Sequence, residues 1–129
     1  MSKDLRSNVD VIHSLIPAVR TTTATGSTVD RQGFYSATVI IIAGDVAGDG
    51  STTPSLLESD ESGANFTTVG AGDLIGNFSA ITNVANVIQR VGYRGTKRYL
   101  RVVGTVSGTH EVAYAGTVVL GHPRHAPVA

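Results

Sequence analysis

The strongest apolar signal in the chain runs through "FYSATVIIIAG" (34–44). A β-branched run of this kind reads as a strand buried on both faces or lying at the centre of a sandwich. Shorter patterns surround it. "VDVIHSLI" (9–16) reads as a short strand, and Pro17 interrupts it because proline cannot donate to a ladder. "AVRTTTATG" alternates up to Gly26, which places a strand near 18–24. "GDVAGDGSTTP" (44–54) is dense in Gly and Asp and reads as a loop. "SLLES" (55–59) and "FTTV" (66–69) read as strands joined by the turn "DESGAN", with Gly63 supplying a positive φ and Asp60 or Asn65 satisfying the turn amides. "GAGDLIGNF" (70–78) has room for one helical turn. Strands follow at 85–94, 98–106 and 112–121, and the first of these places Val87, Gln89, Val91 and Tyr93 on one face.

About seven to eight strands, with turn signals every 8–12 residues or so, favour an all-β, antiparallel β-sandwich over any α/β fold. The organisation is a polar N-terminal arm at 1–8, a single sandwich domain at 9–121 and an extended C-terminal tail at 122–129. Val39, Ile41, Leu56, Phe66, Leu100, Val102 and Val118 are the expected core between two sheets, with Phe66 as an inward anchor.

Composition agrees with this class. Fifteen glycines, abundant Thr and Val, no Trp and one Met suit a turn-rich β domain. A chain of 129 residues is one domain's worth. Cysteine is absent, which rules out disulfides and thiolate metal sites. Ten basic residues balance ten acidic ones, so the general basic excess of a nucleic-acid binder is missing. Charged residues make up 16%, a low share for a free monomer's surface, which suggests a chain that sits against something else. The polar start "MSKDLRSNVD" does not read as a signal peptide, and "VIHSLIPAV" is too short for a membrane span, so the expected compartment is the cytoplasm of the producing cell.

Candidate chemistry is thin. His122 and His125 lie three apart in the tail, with His13 and His110 far off in sequence, and a zinc site wants three or four ligands. Asp45, Asp49, Glu58, Asp60 and Glu61 could offer oxygen ligands to Ca²⁺, but "GDVAGDG" lacks the alternating acids and distal Glu of a calcium loop. They read as turn formers. "GAGDLIG" (70–76) fails the spacing of a phosphate loop, and no nucleophile elbow is present. No catalytic residue, metal or cofactor is therefore expected, and the chain reads as a non-enzyme. Arg90, Arg94, Lys97, Arg98 and Arg101 hold half of the basic residues within twelve positions, with no acid among them, and read as one basic hairpin. A solvated strand, a protein interface and a nucleobase-stacking surface are its readings, in that order. Those five residues and Arg124 are the candidate partner-binding set.

"SLLESDESGANFTTV" resembles a hairpin of phage virion proteins and galactose-binding-like sandwiches, and "GTKRYLRVVGTVSGT" is similar to the strand that often follows it. "DLRSNVDVIHSLIPAVRT" and "VVLGHPRHAP" look like the ends of small proteins encoded among the head genes of tailed phages and prophages. The resemblance covers nearly the whole chain. It implies a jelly-roll or galactose-binding-like sandwich located in the virion, made in the host cytoplasm. The implied role is a capsid decoration or cement protein, with a neck, head–tail or tail component as the alternative. Implied partners are the major capsid protein or other virion subunits and further copies of the chain, with no membrane and no nucleic acid. A carbohydrate-binding module is a third reading. It wants exposed aromatics, and the chain has four Tyr and three Phe, most of them in apolar strands.

Overall fold

A computed structural model describes residues 4–124. Ten strands follow in order: β1 (Val9–Arg20), β2 (Ala24–Thr25), β3 (Val29–Asp30), β4 (Phe34–Ala47), β5 (Ser51–Ser59), β6 (Thr67–Thr68), β7 (Leu74–Ile75), β8 (Ile88–Tyr93), β9 (Tyr99–Ser107) and β10 (Glu111–Pro123). They form two antiparallel sheets. The first has the order β1-β10-β4-β8-β7, and the second has the order β2-β9-β5-β6 with β3 also paired to β9. The protein is an all-β sandwich. Its strands outnumber the sequence expectation because β2, β3 and β7 are two-residue pairings, too short to leave a hydrophobic period. The helical turn expected within 70–78 is a single 3-10 turn, Ala71–Asp73.

Alternation explains the core. Along β4, Ala37, Val39, Ile41 and Ala43 point inward and are buried. On β10 the inward set is Val112, Tyr114, Val118 and Leu120, and on β9 it is Leu100 and Val102. Leu56 and Ile81 close the same cluster. β4 does lie at the centre of its sheet, but only one of its faces is buried: Ile42, on the other, is 51% exposed.

Six of the seven expected core residues are buried; Phe66 is a correction. Val69 takes the inward position at the end of this hairpin, where its N–H donates to the Leu56 carbonyl. Period two then turns Phe66 to the outer face, half-buried, with the Arg101 guanidinium 4.0 Å from its ring centroid. The hairpin tip also differs from expectation. Asn65, not Gly63, adopts the positive φ, at 60°. Ser59 satisfies the turn, accepting from the Glu61 amide at 2.9 Å and donating to the Ala64 carbonyl at 2.6 Å.

Two prolines sit inside strands where their missing N–H is harmless. Pro17 does not end β1, which runs to Arg20 as the edge of its sheet, with a one-residue slip between Leu15 and Ala18. Pro54 lies in β5, which begins at Ser51, so the loop expected over 44–54 shrinks to 48–50. The N–H of Thr52, two residues earlier, points away from β9 to the Ile81 carbonyl, and Pro54 shares that orientation.

A second slip in β1, between His13 and Leu15, inserts Ser14 as an extra residue. Its buried hydroxyl closes the seam between the sheets. It accepts from the Val102 amide of β9 at 2.9 Å and donates to the Ser27 carbonyl at 2.8 Å. Gly26 runs alongside, its amide bonded to the Val102 carbonyl at 2.7 Å; a Cβ there would collide with Ser14 and with that carbonyl. At the C-terminus, β10 continues beyond 121, pairing Pro123 with Phe34, and the Arg124 amide donates to the Gly33 carbonyl. The described part of the expected tail is thus tied to the sheet. Residues 1–3 of the expected arm and 125–129 of the tail lie outside the described residues.

Because Leu100 is fully enclosed and Phe66 is not, their truncations separate. Leu100→Ala should cost about 2–5 kcal/mol of unfolding free energy. Phe66→Ala should cost about 1 kcal/mol, the worth of an exposed cation–π contact and a half-buried ring. Urea denaturation of the two variants measures both.

Candidate functional site

The basic residues that look like one hairpin in sequence do not form one. β8 belongs to the first sheet and β9 to the second, and the segment 94–98 crosses between them. Arg90 therefore projects from the outer face of the first sheet, opposite the buried Val91 and Tyr93. Arg101 projects from the outer face of the second, against Phe66, and its Nε finds no hydrogen-bond partner among the described residues. Arg94 turns back to donate to the Gly72 carbonyl at 3.1 Å. Lys97 pairs with Asp60 at 2.7 Å. Arg98 grips Asp30 through two bonds of 2.9 and 2.8 Å and also donates to the Gln32 side chain. Acids from distant segments thus partner two cations that have no acid nearby in sequence. Arg124 lies over the Tyr35 ring, 5.4 Å from its centroid. Of the six candidates, the fold brings only Arg98 and Arg124 to one shallow pocket, and it adds Arg31, which the sequence did not single out.

The crossing between β8 and β9 is organised by Tyr93. This residue is buried in the first sheet, and its hydroxyl donates to Glu58 of the second at 2.7 Å while accepting the Lys97 amide at 3.0 Å. Burial first, and then the bond to the Glu58 carboxylate, raise the Tyr93 pKa above its ordinary value, so the hydroxyl keeps its proton and the bond. Arg31 donates to the carbonyls of Gly95 and Lys97 and stacks over the Tyr93 ring. Glu58 therefore ties the two sheets together.

The histidines are dispersed. His110 is buried between Thr52, 2.8 Å from its Nδ1, and the Thr82 carbonyl, 2.7 Å from its Nε2. A carbonyl can only accept, so Nε2 carries the proton and, in the neutral ring, Nδ1 accepts from the Thr52 hydroxyl. His13 meets Thr117, and His122 meets Ser36 within the β10–β4 pairing. His125 lies outside the described residues. Among the described residues no three His, Asp or Glu side chains gather as a metal site.

A different surface stands out. Val11, Val19, Ile42, Ile75 and Ile88 are large, apolar and more than half exposed. All five lie at outward positions of the first sheet. Register sets four of them in rows, with Val19 beside Ala113 further along: Val11, Val119, Thr38, Gly92 and Ile75; then His13, Thr117, Ile40 and Arg90; then Ala115, Ile42 and Ile88. Arg90 is the one charged side chain in these rows. Small residues of β10, Ala113, Ala115 and Thr117, floor a trough of about 470 Å³ between His13, Pro17 and Val19 on one side and Ile42 on the other. The sequence carried a signal for this surface. "VIIIA" places Ile40 and Ile42 where a half-buried strand would alternate to polar residues.

No known family matches the chain, and no curated protein matches it.

Asp30 gives a pH prediction. Its hydrogen bonds from Arg98 lower its pKa below the ordinary carboxylate value, outweighing the opposing effect of burial. A depressed folded-state pKa contributes stability that is present above the unfolded-state value, near 3.8, and is lost as pH falls through the folded value. Asp30→Asn should therefore narrow its stability gap to the wild type as pH drops below about 4. Thermal melts at pH 7, 4 and 2.5 read this convergence.

Proposed function

We propose that the protein is a non-enzymatic structural subunit of a tailed-phage virion, a capsid decoration protein that works as a homo-oligomer joined through the outer face of its first sheet. The resemblance of its hairpin and terminal segments to phage head proteins supports the virion part. One geometric observation carries the rest: the outward row of Ile42 and Ile88 beside the β10 trough, a row with no charged side chain. Monomeric soluble proteins rarely expose contiguous apolar patches of this kind without a partner.

A second copy is the occupant this face fits. Ile42 and Ile88 make a ridge, and Ala113, Ala115 and Thr117 make the adjacent trough. A two-fold axis along the strand direction places the ridge of each copy over the trough of the other, the self-complementary pattern of an isologous interface. Binding to the shell then falls to other surfaces, where Arg94, Lys97, Arg98, Arg101 and Arg124 lie. An assembly that engages only the closed shell stabilises it by mass action.

Ile42 and Ile88 contribute little to the core, so Ile42→Asp with Ile88→Asp should leave the melting temperature within a few degrees of wild type. The doubly substituted protein should lose most of its occupancy on purified particles, measured by quantitative mass spectrometry. Hundreds of wild-type copies per particle fit decoration; about a dozen fit a neck ring of cyclic symmetry. Wild-type occupancy by the doubly substituted protein would place the contacts elsewhere.

A further inference from the structure

The pocket at the end of the sandwich where Arg31, Arg98 and Arg124 meet is chemically unlike the rest of this neutral molecule. It measures about 250 Å³ and is lined by those three arginines with Gln32, Gly33, Phe34 and Thr96. No lining residue is acidic. Asp30 neutralises Arg98 from outside the lining. Arg31 is bonded to two backbone carbonyls, and Arg124 lies against a ring, so neither positive charge has a carboxylate partner among the described residues.

The donors are also unspent. Arg31 uses Nε and Nη2, and Arg98 likewise uses Nε and Nη2. The Nη1 group of each has no acceptor among the described residues, and no described group accepts from the Arg124 guanidinium. Guanidinium carries five N–H donors and no acceptor, and so is satisfied only by hydrogen-bond acceptors. With the Thr96 hydroxyl added, the pocket offers donors from four side chains. That exceeds what the two oxygens of a carboxylate accept in a bidentate pair, and it suits an anion with three or four oxygens.

The frame is preorganised. The Arg31 amide donates to the Arg98 carbonyl at 3.0 Å, and the Arg124 amide donates to the Gly33 carbonyl at 2.7 Å, which fixes the backbone of all three arginines. The bonds from Asp30 and Gln32 hold the Arg98 fork, and the carbonyls of Gly95 and Lys97 hold that of Arg31. Little side-chain freedom is then lost on binding, except at Arg124.

We propose that this pocket is a binding site for a tetrahedral oxyanion of the phosphate class, either free or carried as a terminal phosphate on a small molecule. Two positive charges are compensated there by the ligand, and Arg124 closes on it from the β10 end. The site is independent of the apolar face.

Two-dimensional NMR of the full-length protein tests it, following the amides of Gly33 and Thr96 and the Nε–H groups of the three arginines. Inorganic phosphate, glucose 6-phosphate and sodium acetate are titrated at constant ionic strength held with chloride. Saturable shifts confined to this pocket are expected with inorganic phosphate, with glucose 6-phosphate or with both. The comparison tells a free anion from a carried phosphate. Arg124→Gln keeps the fold, because its side chain makes no hydrogen bond to a described protein group and only lies over the Tyr35 ring, and should weaken binding about tenfold through the loss of charge-assisted donors. Arg101→Gln, outside the pocket, should leave it unchanged. The proposal is overturned if neither phosphate shifts these signals beyond the chloride control, if acetate binds as tightly as phosphate, or if Arg124→Gln binds like wild type.

Discussion

In a β-strand, residues two apart share a face, so an apolar side chain at an outward position is lost to the core however hydrophobic it is. β4 shows the consequence. Val39 and Ile41 are fully buried, and Ile42, one residue further along, is half exposed. The sandwich needs its inward residues and nothing from Val11, Val19, Ile42, Ile75 or Ile88. Those five residues are surplus to folding, and covering them with another molecule would remove their apolar surface from water. The functional reading depends on that surplus.

Two polar ties join the two sheets. Ser14 is an inserted residue in an edge strand, and its hydroxyl takes over the Val102 amide. The bulge thus binds β1 to the second sheet and shields one side of the sandwich. At another point Tyr93 reaches from β8 to Glu58 on β5, with Arg31 packed over its ring. Both ties are polar bonds removed from bulk solvent, where an unmet donor is costly and a met one fixes geometry.

Fold class was legible because period two and turn chemistry are local properties of the chain. The core residues from Val39 to Val118 followed from the same alternation. Which sheet each strand joins was not legible. Arg90 and Arg101 lie close in sequence, yet they end on opposite outer faces because the 94–98 segment crosses the sandwich. The pairings of Lys97 with Asp60 and Arg98 with Asp30 were hidden for the same reason, since both acids come from distant segments. Phe66 was misassigned by one residue of register, which in a strand reverses the face. Arg31 gave no signal at all, because its role as a clasp on two carbonyls depends on long-range contact.

Self-association through the first sheet is the claim on which the functional account rests, and sedimentation equilibrium tests it most directly. Across a range of protein concentrations and salt, the account predicts a mass that is an integral multiple of 13.3 kDa and changes little with ionic strength, as expected for an apolar contact. A 13.3 kDa monomer at every concentration would contradict it.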